Sequence, residues 1–185
     1  DDLDAADPEV EVIRETPQVL EWLRALPEPF QAPIIAHVHA TTQGMARWQQ
    51  HGPYVEDEPA LDDYMHEVAG RVGYLVTDLF ALYSPAIMDR RESLMPLARQ
   101  CGLALQTVNV IRGIRKDYER GWVFVPCTFL DDVGLTRETL LEPQSELQAL
   151  AVVARLADKA DRHLAHGLSF ITAFPRSEHG LRLAL

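Results

Sequence analysis

The chain predicts an all-α, antiparallel helix bundle, and three observations carry that prediction. Apolar residues recur at steps of three and four along most of the 185 residues. Prolines fall between the periodic stretches, as at Pro27, Pro53, Pro85 and Pro175, and Gly52 and Gly121 stand at helix ends. The one β-branched, aromatic run, residues 122–126, is too isolated to found a sheet and reads as an extended connector packed on the bundle. With 47% apolar residues the chain can bury one substantial core, so residues 1–185 read as a single domain.

Taken in order, an acidic start (Asp1 to Pro8) precedes a helix from about residue 9, interrupted near Pro17 and ended by Pro27. A second helix spans residues 29–50, with Pro29 and Pro33 near its first turns and Gly52-Pro53 closing it. The acidic loop Glu56-Asp57-Glu58 leads to Pro59 and a third helix, whose apolar positions run through Leu61, Tyr64, Met65, Val68, Val72, Leu75, Val76, Leu79 and Phe80. A long fourth helix runs from Arg91 to Glu119, with Gly121 placed as its C′ glycine. Short helical turns near Phe129 and over residues 137–141 precede a long helix over residues 145–173. A last helix begins near Ser177 and is still apolar at Leu185, so the bundle reads as incomplete at that end.

Composition excludes several functions. A formal net charge of -11 argues against a nucleic-acid partner, which needs a basic face. No segment reaches the roughly 20 apolar residues of a membrane span, and the acidic start is no secretion signal. Cys101 and Cys127 lie among apolar neighbours and read as reduced thiols of a cytoplasmic protein.

The fourth helix carries the chemistry. Gln106, Asn109, Gly113 and Asp117 recur at steps of three, four and four and so share one face, in a run otherwise apolar. Two amides and a carboxylate in register suit a polar ligand, directly or through a metal; a polar network of their own is the plainer alternative. On the third helix, Ala69, Gly70 and Gly73 leave a shallow groove, which admits either a neighbouring helix or a long apolar ligand. Ala98, Cys101, Gly102 and Leu105 repeat that pattern one to two turns before Gln106. Taken singly, Tyr64 reads as a core tyrosine and Asp117 as a surface charge. The seven histidines read as structural or surface residues, the Asp62-Asp63 pair and Arg90-Arg91 as solvated helix ends, and Trp22, Trp48 and Trp122 as packing anchors.

Tyr64-x-x-x-Val-Ala-Gly-x-Val-Gly73, then Gly102-x-x-Leu-Gln-x-x-Asn-x-x-Arg112 and Asp117, together resemble the squalene/phytoene synthase family, nearer its squalene synthase side. Arg120-Gly-x-Val-Phe-Val-Pro126 is similar to the segment that follows the family's second aspartate motif. The resemblance implies an isoprenoid-synthase-type bundle and head-to-head condensation of two prenyl diphosphates, farnesyl diphosphate foremost, through a cyclopropylcarbinyl diphosphate. It implies Mg²⁺ at Asn109 and Asp117, and diphosphate contacts at Gln106 and Arg112; Lys116, which departs from the family pattern, is a further cation that could contact diphosphate directly. Tyr64 would donate a hydrogen bond or proton to the leaving diphosphate, and Val68, Ala69, Val72, Gly73, Ala98, Cys101, Gly102 and Leu105 would line a prenyl tunnel. NADPH would enter if the product is squalene, and peripheral membrane association would serve product release. A non-catalytic, lipid-binding or assembly homologue is the alternative.

Two departures from the family pattern stand out. Gly113 occupies the position of an aspartate, and Lys116 that of an acidic residue. The family's first aspartate motif is expected upstream of residue 1, since Asp1 to Asp7 lie too close to Tyr64.

Overall fold

A computed structural model describes residues 8–178, 180 and 181. The acidic stretch Asp1 to Asp7 lies outside them, as does most of the helix expected after Ser177. The expected fold class is what forms: long helices with one two-stranded sheet.

Helix α1 (Pro8–Ala25) runs unbroken through Pro17, contrary to the expected interruption. The carbonyl that Pro17 leaves unbonded belongs to Ile13, which is 60% exposed, so water can take the place of the missing partner. Helix α2 (Glu28–His51) begins one residue ahead of Pro29 and tolerates Pro33 in its second turn. The third helix of the sequence is three pieces: α3 (Glu58–Met65), a π-helical turn (His66–Gly70) and α4 (Arg71–Tyr83). Asp57 caps α3 by accepting from Ala60 N at 2.9 Å. After a short α5 (Pro85–Met88), α6 (Arg91–Glu119) runs the full predicted length.

Gly121, with φ of 81°, ends α6 in a Schellman arrangement. Gly121 N donates to Tyr118 O at 2.9 Å, and Trp122 N to Asp117 O at 2.9 Å. Residues 122–126 then depart from the sequence expectation. Strand β2 (Val123–Pro126) pairs in parallel with β1 (Tyr54–Val55), placing Tyr54 opposite Val123 and Val55 opposite Pro126. Helix α7 (Cys127–Asp131) takes the place expected near Phe129, whereas residues 137–141 form turns and no helix. Helix α8 (Glu146–Ala173) closes the described fold against α6.

Two cores result. The larger gathers Trp48, Leu61, Tyr64, Leu103, Val110, Val125, Phe129 and Leu156 beneath the sheet; the smaller gathers Ala81, Ile87, Leu94, Ala98, Phe170 and Phe174 at the other end of α6. Trp48 is a packing anchor as expected, but Trp22 is not, at 64% exposed. The Asp62-Asp63 pair is a further correction. Asp62 meets the buried Lys159, and Asp63 accepts from Arg47 and from the Trp48 indole, because α2 and α8 flank α3 on those sides.

Candidate active site

Tyr64 lies on the last turn of α3, 9% exposed, its ring stacked on Phe124 of β2 at 4.3 Å and 16°. Phe124 stacks in turn on Trp122 at 5.5 Å and 19°, and Trp48 meets Tyr64 edge-on at 5.6 Å. The sheet builds this ladder, because side chains two apart on a strand share a face and Trp122 sits in line with Phe124. Trp48 is held in turn by donating from its indole nitrogen to Asp63 Oδ2 at 3.0 Å.

Asp117 comes to the same place from the C-terminal end of α6. With Met45, Trp48, Gln49, Tyr64, Arg120, Trp122 and Phe124 it lines a cleft of about 300 Å³. Burial raises the Asp117 carboxyl above its ordinary value, and Arg120 and Lys116 partly oppose that. The Tyr64 phenol is pushed up to about 12, first by burial and then by the negative charge of Asp117. At neutral pH Tyr64 is therefore a neutral O–H donor in a cleft it shares with the Asp117 carboxyl, where Arg120 is the cationic lining residue. Gly113 contributes by what it lacks. A Cβ there would sit 2.7 Å from Asp117 Oδ2, so the missing side chain is the space the carboxylate occupies.

The structure brings together only some of the residues singled out from sequence. Tyr64 and Asp117 share the cleft. Gln106, Asn109, Arg112 and Lys116 follow the outer face of α6, where Asn109, Arg112 and Lys116 are exposed and Gln106 is half-buried. Asn109 Nδ2 donates to Gln106 Oε1 at 3.3 Å, so the two amides do satisfy each other in part.

The small residues serve helix packing. A Cβ on Gly73 would lie 2.5 Å from Ala98 O, and one on Gly102 would lie 2.6 Å from Ala69 O. Of the two readings of that groove, the neighbouring helix occupies it at Ala69, Gly73, Ala98 and Gly102. Cys101 backs onto Gly167 of α8, with a Cβ on that glycine placed 3.0 Å from Cys101 Cα, and Val68 packs on the larger core. Val72 and Leu105, 53% and 64% exposed, are the apolar residues of the set that face outward.

Sequence reasoning missed Trp48, Gln49, Arg120, Trp122 and Phe124 as site residues. The alternation of Trp122 and Phe124 about Val123 was the available signal, since it puts both aromatics on one face of a strand.

A Mg²⁺ site shared by Asn109 and Asp117 does not fit this helix. Eight residues separate them, about 12 Å along the axis, so one ion cannot touch both. Gly113, midway between, offers no ligand. Among the described residues no group of three or more His, Cys, Asp or Glu side chains could hold a metal ion.

The sequence matches the squalene/phytoene synthase family over residues 1–185, and the chain belongs to that family. It is 32% identical to the 15-cis-phytoene synthase of Enterobacter agglomerans over 118 residues, covering 62% of this chain and 38% of that relative. In fold it is similar to TcSQS, solved with a ligand (TM-score 0.75, 23% identity, 83% of this chain and 45% of that one). It is also similar to the squalene synthase HpnC of Alicyclobacillus acidocaldarius (TM-score 0.63, 22% identity, 86% of this chain and 57% of that one). The chain thus spans well under two thirds of the length of these relatives.

Proposed function

We propose that the protein carrying this chain condenses two prenyl diphosphates head to head, with farnesyl diphosphate as substrate and a cyclopropylcarbinyl diphosphate as the first product. The carrying observation is Tyr64, a neutral phenol set beside Asp117 in an aromatic cleft. In that reaction the C–O bond to one diphosphate breaks, the freed carbon adds to the double bond of the second substrate, and a proton and diphosphate leave. Tyr64 donates its O–H to the departing diphosphate oxygen. The exposed cations Arg112 and Lys116, with Gln106, hold diphosphate oxygens along the outer face of α6. Val72 and Leu105 offer the prenyl chain an outward-facing apolar surface. When bound, Mg²⁺ would supply charge stabilisation of the diphosphate. Asp117 is the carboxylate on this face of α6 that would hold the ion.

The second reading is a non-catalytic homologue that binds prenyl lipids or helps an assembly. Gly113 and Lys116 favour it, since one carboxylate is absent and a cation stands in place of another. Incubating the full-length protein with farnesyl diphosphate and Mg²⁺, with and without NADPH, separates the two. Presqualene diphosphate, squalene or a related polyene supports the enzyme. Prenyl diphosphate binding with no product, under both conditions, supports the homologue.

A further inference from the structure

Lys159 is the most deeply buried cation of the described chain, 1% exposed on α8, and the proposed chemistry makes no use of it. Its ammonium lies 3.0 Å from Glu58 Oε1 and 2.5 Å from Asp62 Oδ1, both on α3. Arg162 reaches Glu58 Oε1 at 2.6 Å, and His163 Nε2 lies 3.3 Å from Asp62 Oδ1 while its Nδ1 bonds Gln100 of α6 at 2.6 Å. Glu58 and Asp62 are four residues apart on one helix; Lys159, Arg162 and His163 are spaced three and four apart on the other. The two helices therefore meet through matched charged stripes.

A buried lysine is a costly way to fill space. An apolar side chain of similar volume would pack there with less desolvation penalty, so what the ions add is direction. Direction matters at α3 in particular. It is only eight residues long, and the π turn after it breaks the i→i−4 ladder, with Arg71 N reaching back five residues to His66 O. The close packing on α6, through Gly73 of α4 and through Ala69 and Gly70 of the π turn against Gly102, lies beyond α3 itself and leaves its rotation to its own side-chain contacts. Tyr64 follows Asp62 by two residues, about 200° around the helix, so rotation about the axis that moves Asp62 one way carries Tyr64 the other. Leu61 and Met65 of α3 are fully buried in the larger core, and Thr107 of α6 donates to Met65 Sδ at 3.3 Å. On the Tyr64 side the contacts are aromatic stacking and the Asp63 bonds to Arg47 and Trp48; Lys159 adds a directed charge contact to these.

We propose that Lys159, through Glu58 and Asp62, is a positioning residue that helps set the rotation of α3 and so holds the Tyr64 ring in the cleft it shares with Asp117. The proposal rests on the reading of Tyr64 as the proton-donating group, but its structural half is testable without turnover. The protein is labelled with 3-fluorotyrosine, and the Tyr64 ¹⁹F resonance is assigned as the line lost in Tyr64→Phe. Its place over Phe124 makes that resonance sensitive to ring stacking. Lys159→Met is expected to move this line by more than its width and leave the Tyr83 line in place. The double variant Asp62→Leu/Lys159→Met, which removes both charges and keeps apolar volume, is expected to do the same while remaining folded.

In the active enzyme, Lys159→Met lowers kcat by up to about a hundredfold, the scale of a 1 Å misplacement. It has no further effect in a Tyr64→Phe background. An unmoved Tyr64 line in either folded variant, or a kcat loss that multiplies with Tyr64→Phe, overturns the proposal. Absence of product from the unsubstituted protein refutes the proposed activity instead, and the ¹⁹F line then decides the clamp alone.

Discussion

At Asp117 and Gly113 a missing side chain decides where a charge sits. The Asp117 carboxyl lies over Gly113, in the space a side chain there would take, and shares the cleft with the Tyr64 phenol. Removing the phenol alone should therefore cost chemistry and little stability. In Tyr64→Phe the ring still stacks on Phe124, so unfolding free energy should change by about 1 kcal/mol or less. Turnover should fall on the order of a hundredfold with KM nearly constant, the loss expected of one proton donor. Steady-state kinetics checks this, and an equal rise in KM would assign Tyr64 to substrate binding. Gly113→Asp tests the neighbouring position. Asp117 must swing off the helix to admit the new side chain, which costs little at the end of a flexible group. Two carboxylates one turn apart should then bind Mg²⁺ and inorganic diphosphate more tightly by calorimetry. Unchanged Mg²⁺-dependent binding would take this face of α6 out of the diphosphate site.

At the scale of elements, the π turn and α6 approach closely enough for backbone to meet backbone. A methyl group on Gly102 would fall 2.6 Å from Ala69 O and 2.9 Å from Gly70 Cα, and neither atom can yield without moving the π turn. Gly102→Ala should thus destabilise by about 1–3 kcal/mol, the usual cost of overpacking. That outweighs the roughly 1 kcal/mol gained from alanine's helix propensity. A raised urea midpoint would show that the two elements slide apart freely. The long helices were legible because local period and capping residues suffice to write them, as with α6 from Arg91 to Glu119 and its C′ residue Gly121. The π turn was not, since one inserted residue barely alters an apolar pattern that runs from Leu61 to Phe80. Strand β2 was misread for another reason. Its partner is a two-residue strand, Tyr54–Val55, and only the tertiary fold brings the pair together. The same distance hid the Lys159 clamp, whose Glu58 contact joins residues 101 apart in the chain. The site divided along that line. Tyr64 and Asp117 carried motif spacing, whereas Trp122 and Phe124 became site residues only once the sheet turned them to one side.

Across the whole molecule, paired carboxylates tie the helices together: Glu58 and Asp62 join α3 to α8, Glu67 joins the π turn to α4 and α2, and Asp78 joins α4 to Arg91 and His37. Each of the four is held below its ordinary value; burial opposes that, and hydrogen bonds and charges from Lys159, His163, Arg162, Arg71, Arg47, Arg91 or His37 outweigh it. A carboxylate lowered in the folded state contributes stability that is in place above its unfolded value. That contribution is lost as pH falls through the folded value, because the unfolded chain takes up the proton first. Asp117 runs the other way. Raised by burial, it favours the protonated fold, so acid relieves the cost of ionising it. Among these buried carboxylates, four against one set the sign. His66, held below its ordinary value by burial and by Arg99 and Arg71, acts in the same direction from the histidine range downward. The urea midpoint should begin to fall as pH drops below about 6.5 and fall further below the ordinary carboxylate range of about 4–4.5. Asp78→Asn, which gives up the contacts to both Arg91 and His37, should lower the midpoint at pH 7 and flatten the acid limb. Tyr64→Phe should leave that limb unchanged. Midpoints measured from pH 3 to 7 decide the matter. A wild-type profile that stays flat, or rises, toward pH 3 would mean that burial of these carboxylates outweighs their ion pairs, and that apolar packing alone holds α3 and α4 in place.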